Sequence, residues 1–325
     1  MLYIDTGSRD PYFNFGAEYY FCRFRPKDEM VFLLWRTEPT LMLGKYQNLY
    51  EEINLEAAKD SGVHIVRRLS GGGTIYTDLG GWQFSFIDPE GTEEIDFKKY
   101  TDLVLQALEA MSIEVEFSGR NDLLIGGKKF SGNAQFQLNG YTVHHGSLLF
   151  DSDLDAMTRF SRVRPEKIRS KSIKSVRSRV TNLKDLLGVP MTVEDFGEAF
   201  IQRLVGNRRG GLTESEILEI EVLAQEHFRK EDRIYGQSPA FSLTNGHRFA
   251  GGRLDLQIEV KKGLIEDLQF TGDFFATDGV NDLKSLFIGL PYRKEVLLQA
   301  LAGYRDRMYF YRISLEEIIN LMFEN

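Results

Sequence analysis

Arg67-Arg68-Leu69-Ser70-Gly71-Gly72-Gly73-Thr74-Ile75-Tyr76-Thr77-Asp78 is the densest chemical signal in this 325-residue chain. Two guanidinium groups leave an apolar strand and run straight into three consecutive glycines. Glycines let backbone N–H groups converge on an anion, and Arg adds a permanent charge with a planar donor fork, so the loop suits a phosphate. The same composition also reads as a flexible turn. It matches neither of two familiar nucleotide loops: no Gly-Lys-Ser/Thr follows, and adjacent glycines are not the G-x-G-x-x-G that opens a Rossmann helix.

Outward from this loop, both periodicities occur. Met30 to Trp35 and Thr40 to Leu43 are short apolar runs, and Trp82, Phe84 and Phe86 alternate with Gln83 and Ser85, which predicts strands. Phe97, Tyr100, Val104, Leu108 and Met111 recur at helical spacing, and Thr213 with Glu216 forms a capping box opening a helix that ends near Arg229. The expected class is therefore α+β. After Tyr235-Gly236-Gln237-Ser238-Pro239 a second unit begins: Leu254, Leu256, Ile258 and Val260 alternate with polar residues, Lys261-Lys262-Gly263 supplies a turn, and Ile265, Leu268 and Phe270 return. Helical patterns follow near Asn281 to Ile288, Lys294 to Ala302 and Ser314 to Phe323. We place the domains at 1–243 and 244–325. The tail shows no glycine-rich anion loop and no catalytic cluster, so chemistry is expected in the larger N-terminal unit.

The second cluster is Ser118-Gly119-Arg120-Asn121-Asp122 followed by Gly126-Gly127-Lys128-Lys129-Phe130-Ser131-Gly132-Asn133-Ala134. An ammonium between small residues at a strand start reaches two anions at once, a carboxylate being activated and the phosphate that activates it. Asp122 is a candidate for recruiting magnesium. Gly-Lys-Lys is equally the composition of a charged hairpin turn. His144 and His145 point to opposite faces of a strand and do not share a metal easily, so His145 reads as structural or supporting. Nine basic residues from Arg159 to Arg179 face only Glu166, a belt that is either a solvated surface or a cover for a nucleotide phosphate or an acidic partner.

Composition narrows the class further. With 40 Lys+Arg against 48 Asp+Glu, the net charge of -8 provides no global field toward nucleic acid or anionic membrane, so an anionic ligand must be held locally. Hydrophobic residues at 42% with 24 Phe and 14 Tyr exclude disorder. The single Cys22, in an apolar and helical stretch, reads as packing and permits no intramolecular disulfide. No basic region with an apolar run opens the chain, and a cytoplasmic location is expected. No G-x-S-x-G elbow supports serine hydrolysis.

Taken in order, Arg67 to Asp78, Gly119 to Ala134, His145-Gly146-Ser147-Leu148-Leu149 and Ser175 to Leu183 resemble the lipoate-protein ligase family. Asp10-Pro11-Tyr12-Phe13-Asn14, Trp35 to Asn48 and the hairpin-plus-helices tail are similar to family counterparts as well. The resemblance implies a mixed β-sheet catalytic domain of the biotin/lipoate ligase type with a smaller C-terminal α/β accessory domain. It implies ATP and Mg2+ as co-substrate and metal, lipoate as the acid, and lipoyl domains of 2-oxoacid dehydrogenase complexes or the glycine cleavage H protein as acceptors. By resemblance, Arg68, Gly73, Thr74, Ile75, Tyr76 and Lys129 hold ATP, Lys129, Trp35 and Gly72 hold lipoate, Lys129 is catalytic, and Asp122 is the metal candidate. Lys167 to Arg177 resembles a loop that folds over the adenylate. Thr77, Gly81, Lys45, Glu231 and Arg233 depart from commoner family forms. Two alternatives are an ATP-independent lipoyl or octanoyl transferase of the same fold, and a non-catalytic lipoate- or nucleotide-binding regulator.

Overall fold

The computed structural model describes residues 1–24, 28–47, 49–91, 94–118, 121–161, 179–187, 190–234, 243–261, 264–292 and 294–323. The strands are β1 (Leu2–Asp5), β2 (Val31–Trp35), β3 (Thr40–Leu43), β4 (His64–Arg67), β5 (Ile75–Thr77), β6 (Gly81–Asp88), β7 (Glu116–Ser118), β8 (Asp122–Ile125), β9 (Lys128–Leu138), β10 (Tyr141–Leu149), β11 (Arg209–Gly211), β12 (Leu243–Phe249), β13 (Gly252–Lys261) and β14 (Leu264–Gly272). The principal helices are α1 (Pro11–Phe24), α2 (Phe97–Glu109), α3 (Val193–Val205), α4 (Glu214–Ala224), α5 (Val280–Phe287), α6 (Lys294–Ala300) and α7 (Leu315–Met322). An eight-stranded mixed sheet runs β11-β1-β2-β6-β10-β9-β8-β7, beside a small β4-β3-β5 sheet and a separate β12-β13-β14 sheet. The class is α+β. Among the described residues no helix is long and apolar enough to cross a membrane.

The large sheet is covered on both faces. On one, Phe15 and Phe21 of α1 and Ile220 and Leu223 of α4 pack with Leu33, Trp35 and Ile87. On the other, Tyr100, Val104 and Leu108 of α2 and Phe196 and Phe200 of α3 pack with Phe32, Phe84 and Phe86. The helical stripe anticipated from Phe97 is the buried face of α2, and Asp96 caps it by accepting from Lys98 N and Lys99 N. The alternation in β6 points to one wet face, yet Ser85 and Gln83 are buried as well. Their polar groups are satisfied inside, Ser85 Oγ donating to Glu18 and Gln83 Nε2 to Thr77 Oγ1.

The Thr213/Glu216 capping box is present, and α4 continues into a π-helical turn over Gln225–Arg229. In the tail, β13 and β14 pair as the hairpin anticipated, with Leu254, Leu256, Ile258, Ile265 and Leu268 in one core with Leu283, Leu297 and Ile318. The residues Lys262-Gly263 and Tyr235 to Pro239 lie outside the described residues. Strand β12 carries no hydrophobic alternation that would announce it. It is mostly exposed and sits at the edge of its sheet.

Candidate active site

Lys129 owes its aim to a fault in the ladder. Asp122 pairs with Gly132 and Leu123 with Ser131, but Leu124 pairs with Lys129, leaving Phe130 as an extra residue on β9. In a regular strand, residues 129 and 132 face opposite sides; the bulge brings them to one side. A side chain built on Gly132 would meet Lys129 Nζ at 2.9 Å. Phe130 turns into the core instead. Lys129 O accepts from Thr181 N at 2.9 Å, and its ammonium pairs with Asp122 Oδ1 at 2.7 Å, both side chains 35% exposed. The Gly126-Gly127 turn at positive φ precedes it.

The glycine loop is held rather than loose. Arg68 Nη1 donates to Met42 O, Nη2 to Gly71 O and Gly73 O, and Nε to Ser70 Oγ. Arg67 donates likewise to Gly44 O, Gln47 O, Arg233 O and Ile234 O. Burial lowers both guanidinium pKa values to about 10, with the Glu18 carboxylate partly opposing this at Arg68. Arg68, expected to offer its fork to a phosphate, lines the first cavity but gives its described hydrogen bonds to the loop itself and to Met42 O. Its donors fasten the loop: three backbone carbonyls and the Ser70 hydroxyl converge on a side chain only 6% exposed.

The loop's outer side meets the accessory unit. Gly72 N donates to Phe274 O at 2.9 Å. A Cβ on Gly71 would stand 2.0 Å from that same carbonyl, and Gly72 adopts φ +93 within 3.2 Å of Arg68 and Phe275. Gly71 is thus required by close backbone approach and Gly72 by its positive φ.

Below the loop lies a buried polar relay. Ser70 Oγ is 2.6 Å from His145 Nε2, and His145 Nδ1 is 3.0 Å from Glu18 Oε1, which also accepts from Ser85. A carboxylate only accepts, so Nδ1 carries the proton and Nε2 takes the Ser70 hydroxyl. His144, on the opposite face, is fully buried among Tyr100, Phe97 and Phe84, and burial holds its pKa well below the ordinary histidine range. Cys22 is buried in α1, and burial with the nearby Glu18 pushes its thiol up.

Two cavities open on either side of Lys129. One, of about 290 Å³, is lined by Phe15, Trp35, Met42, Gln83, Phe84, Gly146 and His145 toward the core, and by Arg68, Gly72, Gly73, Asn121, Asp122 and Lys129 toward its mouth. The other, of about 190 Å³ and mostly apolar, is lined by Thr74, Ile75, Tyr76, Ser147, Leu149, Met157 and Val180. Lys129, Gly132, Thr74 and Ile75 border both. Every candidate site residue from the sequence therefore lies on one cavity or the other: Arg68, Trp35, Gly72, Gly73 and Asp122 on the first, Tyr76 on the second. His145, read as a supporting residue, is on the wall itself.

The tail adds to the site. Arg248, Asp273 and Phe275 of the accessory unit line the first cavity, so its wall is not confined to the N-terminal unit. Their signal was invisible because it depends on the docking through Phe274. The basic residues Arg162 to Arg177, including Lys171 and Lys174, lie outside the described residues, as do Gly119 and Arg120.

Comparison with known proteins agrees along the whole chain. Residues 10–205 match the lipoyl protein ligase A/B catalytic domain, and residues 238–322 match the bacterial lipoate protein ligase C-terminus. The chain is 38% identical to the lipoate-protein ligase LplJ of Bacillus subtilis, covering 99% of this chain and 100% of that protein. Among solved structures, P. falciparum LipL1 in complex with lipoate superposes with a TM-score of 0.79 at 22% identity, covering 98% of this chain and 97% of that one. A bi-partite ligase from Thermoplasma acidophilum, described with its lipoyl domain, gives 0.64 at 25% identity over 74% of this chain and 98% of that one. With both family segments in place and a relative matched end to end, the chain belongs to the lipoate-protein ligase family.

Proposed function

We propose that the protein activates lipoate with ATP to lipoyl-adenylate and pyrophosphate, then passes the lipoyl group to a lysine of a lipoyl domain. The observation that carries this reading is Lys129, one ammonium on the wall of two cavities. The first takes the acyl chain. From β9 the wall crosses β10 and β6 to Trp35 on β2, three inter-strand steps of about 4.8 Å, or roughly 14 Å in all, which accommodates an extended eight-carbon acid. The second, mostly apolar, suits adenine and has Thr74, Ile75 and Tyr76 on its wall.

In the first step a carboxylate oxygen of lipoate attacks the α-phosphorus and the bond to the β-phosphate oxygen breaks. Lys129 sits between the two anions, where it offsets the charge that builds as they approach. In the second, the acceptor amine attacks the acyl carbonyl, AMP leaves, and the same ammonium polarises the carbonyl. Magnesium would screen the phosphates. Asp122 offers one carboxylate for it, which fits an ion that usually keeps one or two protein carboxylates and takes its other oxygens from phosphate and water; among the described residues no cluster of three His, Cys, Asp or Glu forms an all-protein cage.

The acceptors we infer are lipoyl domains of 2-oxoacid dehydrogenase complexes or the glycine cleavage H protein. The transferase alternative would use a Cys or Lys nucleophile; buried Cys22, in the helix α1, offers no accessible thiolate. The test is the intact mass of an apo lipoyl domain incubated with protein, magnesium and lipoate, with and without ATP. An ATP-dependent gain of one lipoyl group supports the reading. A gain without ATP indicates the transferase, and binding with no gain and no pyrophosphate exchange indicates a regulator.

A further inference from the structure

The described charged residues on the first cavity are Arg68, Lys129 and Arg248 against Asp122 and Asp273. Arg68 is engaged on all three nitrogens, by the Met42, Gly71 and Gly73 carbonyls and the Ser70 hydroxyl. That leaves two cations on the described wall, each set against one carboxylate: Lys129 against Asp122 on the catalytic unit, and Arg248 Nη2 against Asp273 Oδ2 at 3.1 Å on the accessory unit. A substrate pair as anionic as a fatty acid and a nucleoside triphosphate needs more than Lys129.

We propose that Arg248 is a phosphate-binding residue of the adenylation half-reaction, gripping the β- and γ-phosphates that leave as pyrophosphate. This rests on the ligase reading above. Arg248 stands near the tip of the β12–β13 hairpin, opposite Arg253, and is 57% exposed, so its guanidinium is accessible from the cavity mouth. Asp273 is anchored independently: its Oδ1 accepts from Arg253 N, its Cβ lies 3.6 Å from where a Gly73 side chain would start, and the next residue's carbonyl bonds Gly72. Asp273 therefore holds Arg248 beside the glycine loop while using only one arm of its fork. As the bond between the α-phosphorus and the bridging oxygen breaks, the electron pair goes to pyrophosphate, and a planar guanidinium pairing two of its oxygens stabilises that charge. Once pyrophosphate has left, Arg248 has no further partner in the reaction.

The test separates the two half-reactions in the full-length protein. Arg248→Ala and Arg248→Lys are compared with wild type in lipoate-dependent exchange of labelled pyrophosphate into ATP, and in transfer from supplied lipoyl-adenylate to an apo lipoyl domain. Loss of a charged hydrogen-bonding partner predicts about a tenfold to hundredfold fall in exchange for Arg248→Ala, with a raised KM for pyrophosphate. Arg248→Lys restores part of it, and transfer stays within about twofold of wild type for both. Unchanged exchange, or an equal fall in both half-reactions, overturns the assignment, the latter because it would report on domain docking. A wild-type protein that transfers from supplied adenylate but shows no exchange would overturn the adenylation reading itself.

Discussion

Arg68→Lys discriminates between two physical roles for the arginine that opens the glycine loop. The wild-type side chain reaches Met42 O at 2.5 Å, Gly73 O at 2.7 Å, Gly71 O at 3.0 Å and Ser70 Oγ at 3.2 Å, so three nitrogens serve acceptors on separate turns of backbone. An ammonium gathers its three donors on one atom and lacks the planar fork, so it cannot span β3 and both glycine carbonyls. At least two buried acceptors lose their donor. At about 1–3 kcal/mol for each orphaned buried group, the variant is destabilised by roughly 2–6 kcal/mol. Urea unfolding followed by tryptophan fluorescence reads this as a lower midpoint at unchanged slope. Because the loop walls both cavities, KM for lipoate and for ATP should rise together. Stability within about 0.5 kcal/mol of wild type, with KM raised for ATP alone, would refute the clamp and make Arg68 a direct phosphate ligand.

Lys129→Ala should abolish exchange, by about a hundredfold or more, while the unfolding midpoint barely moves, since its ion pair with Asp122 is partly exposed; near-normal exchange by the folded variant sinks the assignment. Gly71→Ala and Gly73→Ala should diverge. The first drives a methyl to 2.0 Å from Phe274 O and costs about 1–3 kcal/mol, whereas the second has room and should leave stability within about 0.5 kcal/mol, as denaturant curves of the pair would show. His144 is buried neutral with its folded pKa below the unfolded 6.5, so the unfolded chain binds the extra proton on acidification. Stability is therefore intact above pH 6.5 and falls below it by up to about 1.4 kcal/mol per unit; His144→Gln should flatten this slope between pH 6.5 and 5, and an unchanged slope would place the titration elsewhere.

Local pattern made most of the framework legible. The apolar runs at Thr40 to Leu43 and the stripe from Phe97 to Leu108 are set by neighbours in sequence, as are the capping boxes at Thr213 and Ser314. Lys129, Asp122, Trp35 and the glycine loop were legible as residue types in motifs. What stayed hidden depends on partners remote in the chain. Nothing near Arg67 and Arg68 tells that Gly44, Gln47, Arg233 and Met42 will present carbonyls to them, so both guanidiniums read as anion binders. Arg248 lies in a polar edge strand, and its place at the cavity mouth exists only because Phe274 docks on Gly72.

The bulge at Phe130 puts Lys129 on the wall of both cavities, the placement that the proposed two-step reaction requires of one lysine. Alternation would send Lys129 away from the wall that carries Gly132 and Ala134, and a reader counting by twos would assign it to the wrong face. The extra residue reverses that parity for Lys129 and Lys128 before it while sending Phe130 into the core, where its burial fixes the irregular register. Thr181 N, bonding Lys129 O from outside the ladder, holds the backbone of the bulge in place. The ammonium is thereby carried on strand backbone tied from both sides, and only its side chain needs to turn from Asp122 toward one cavity or the other. A cation on a loop could reach both cavities as well, but it would have to be ordered anew in each step. Here that ordering is built into the sheet, and the missing side chain at Gly132 leaves the space that Lys129 Nζ occupies, which a Cβ there would meet at 2.9 Å.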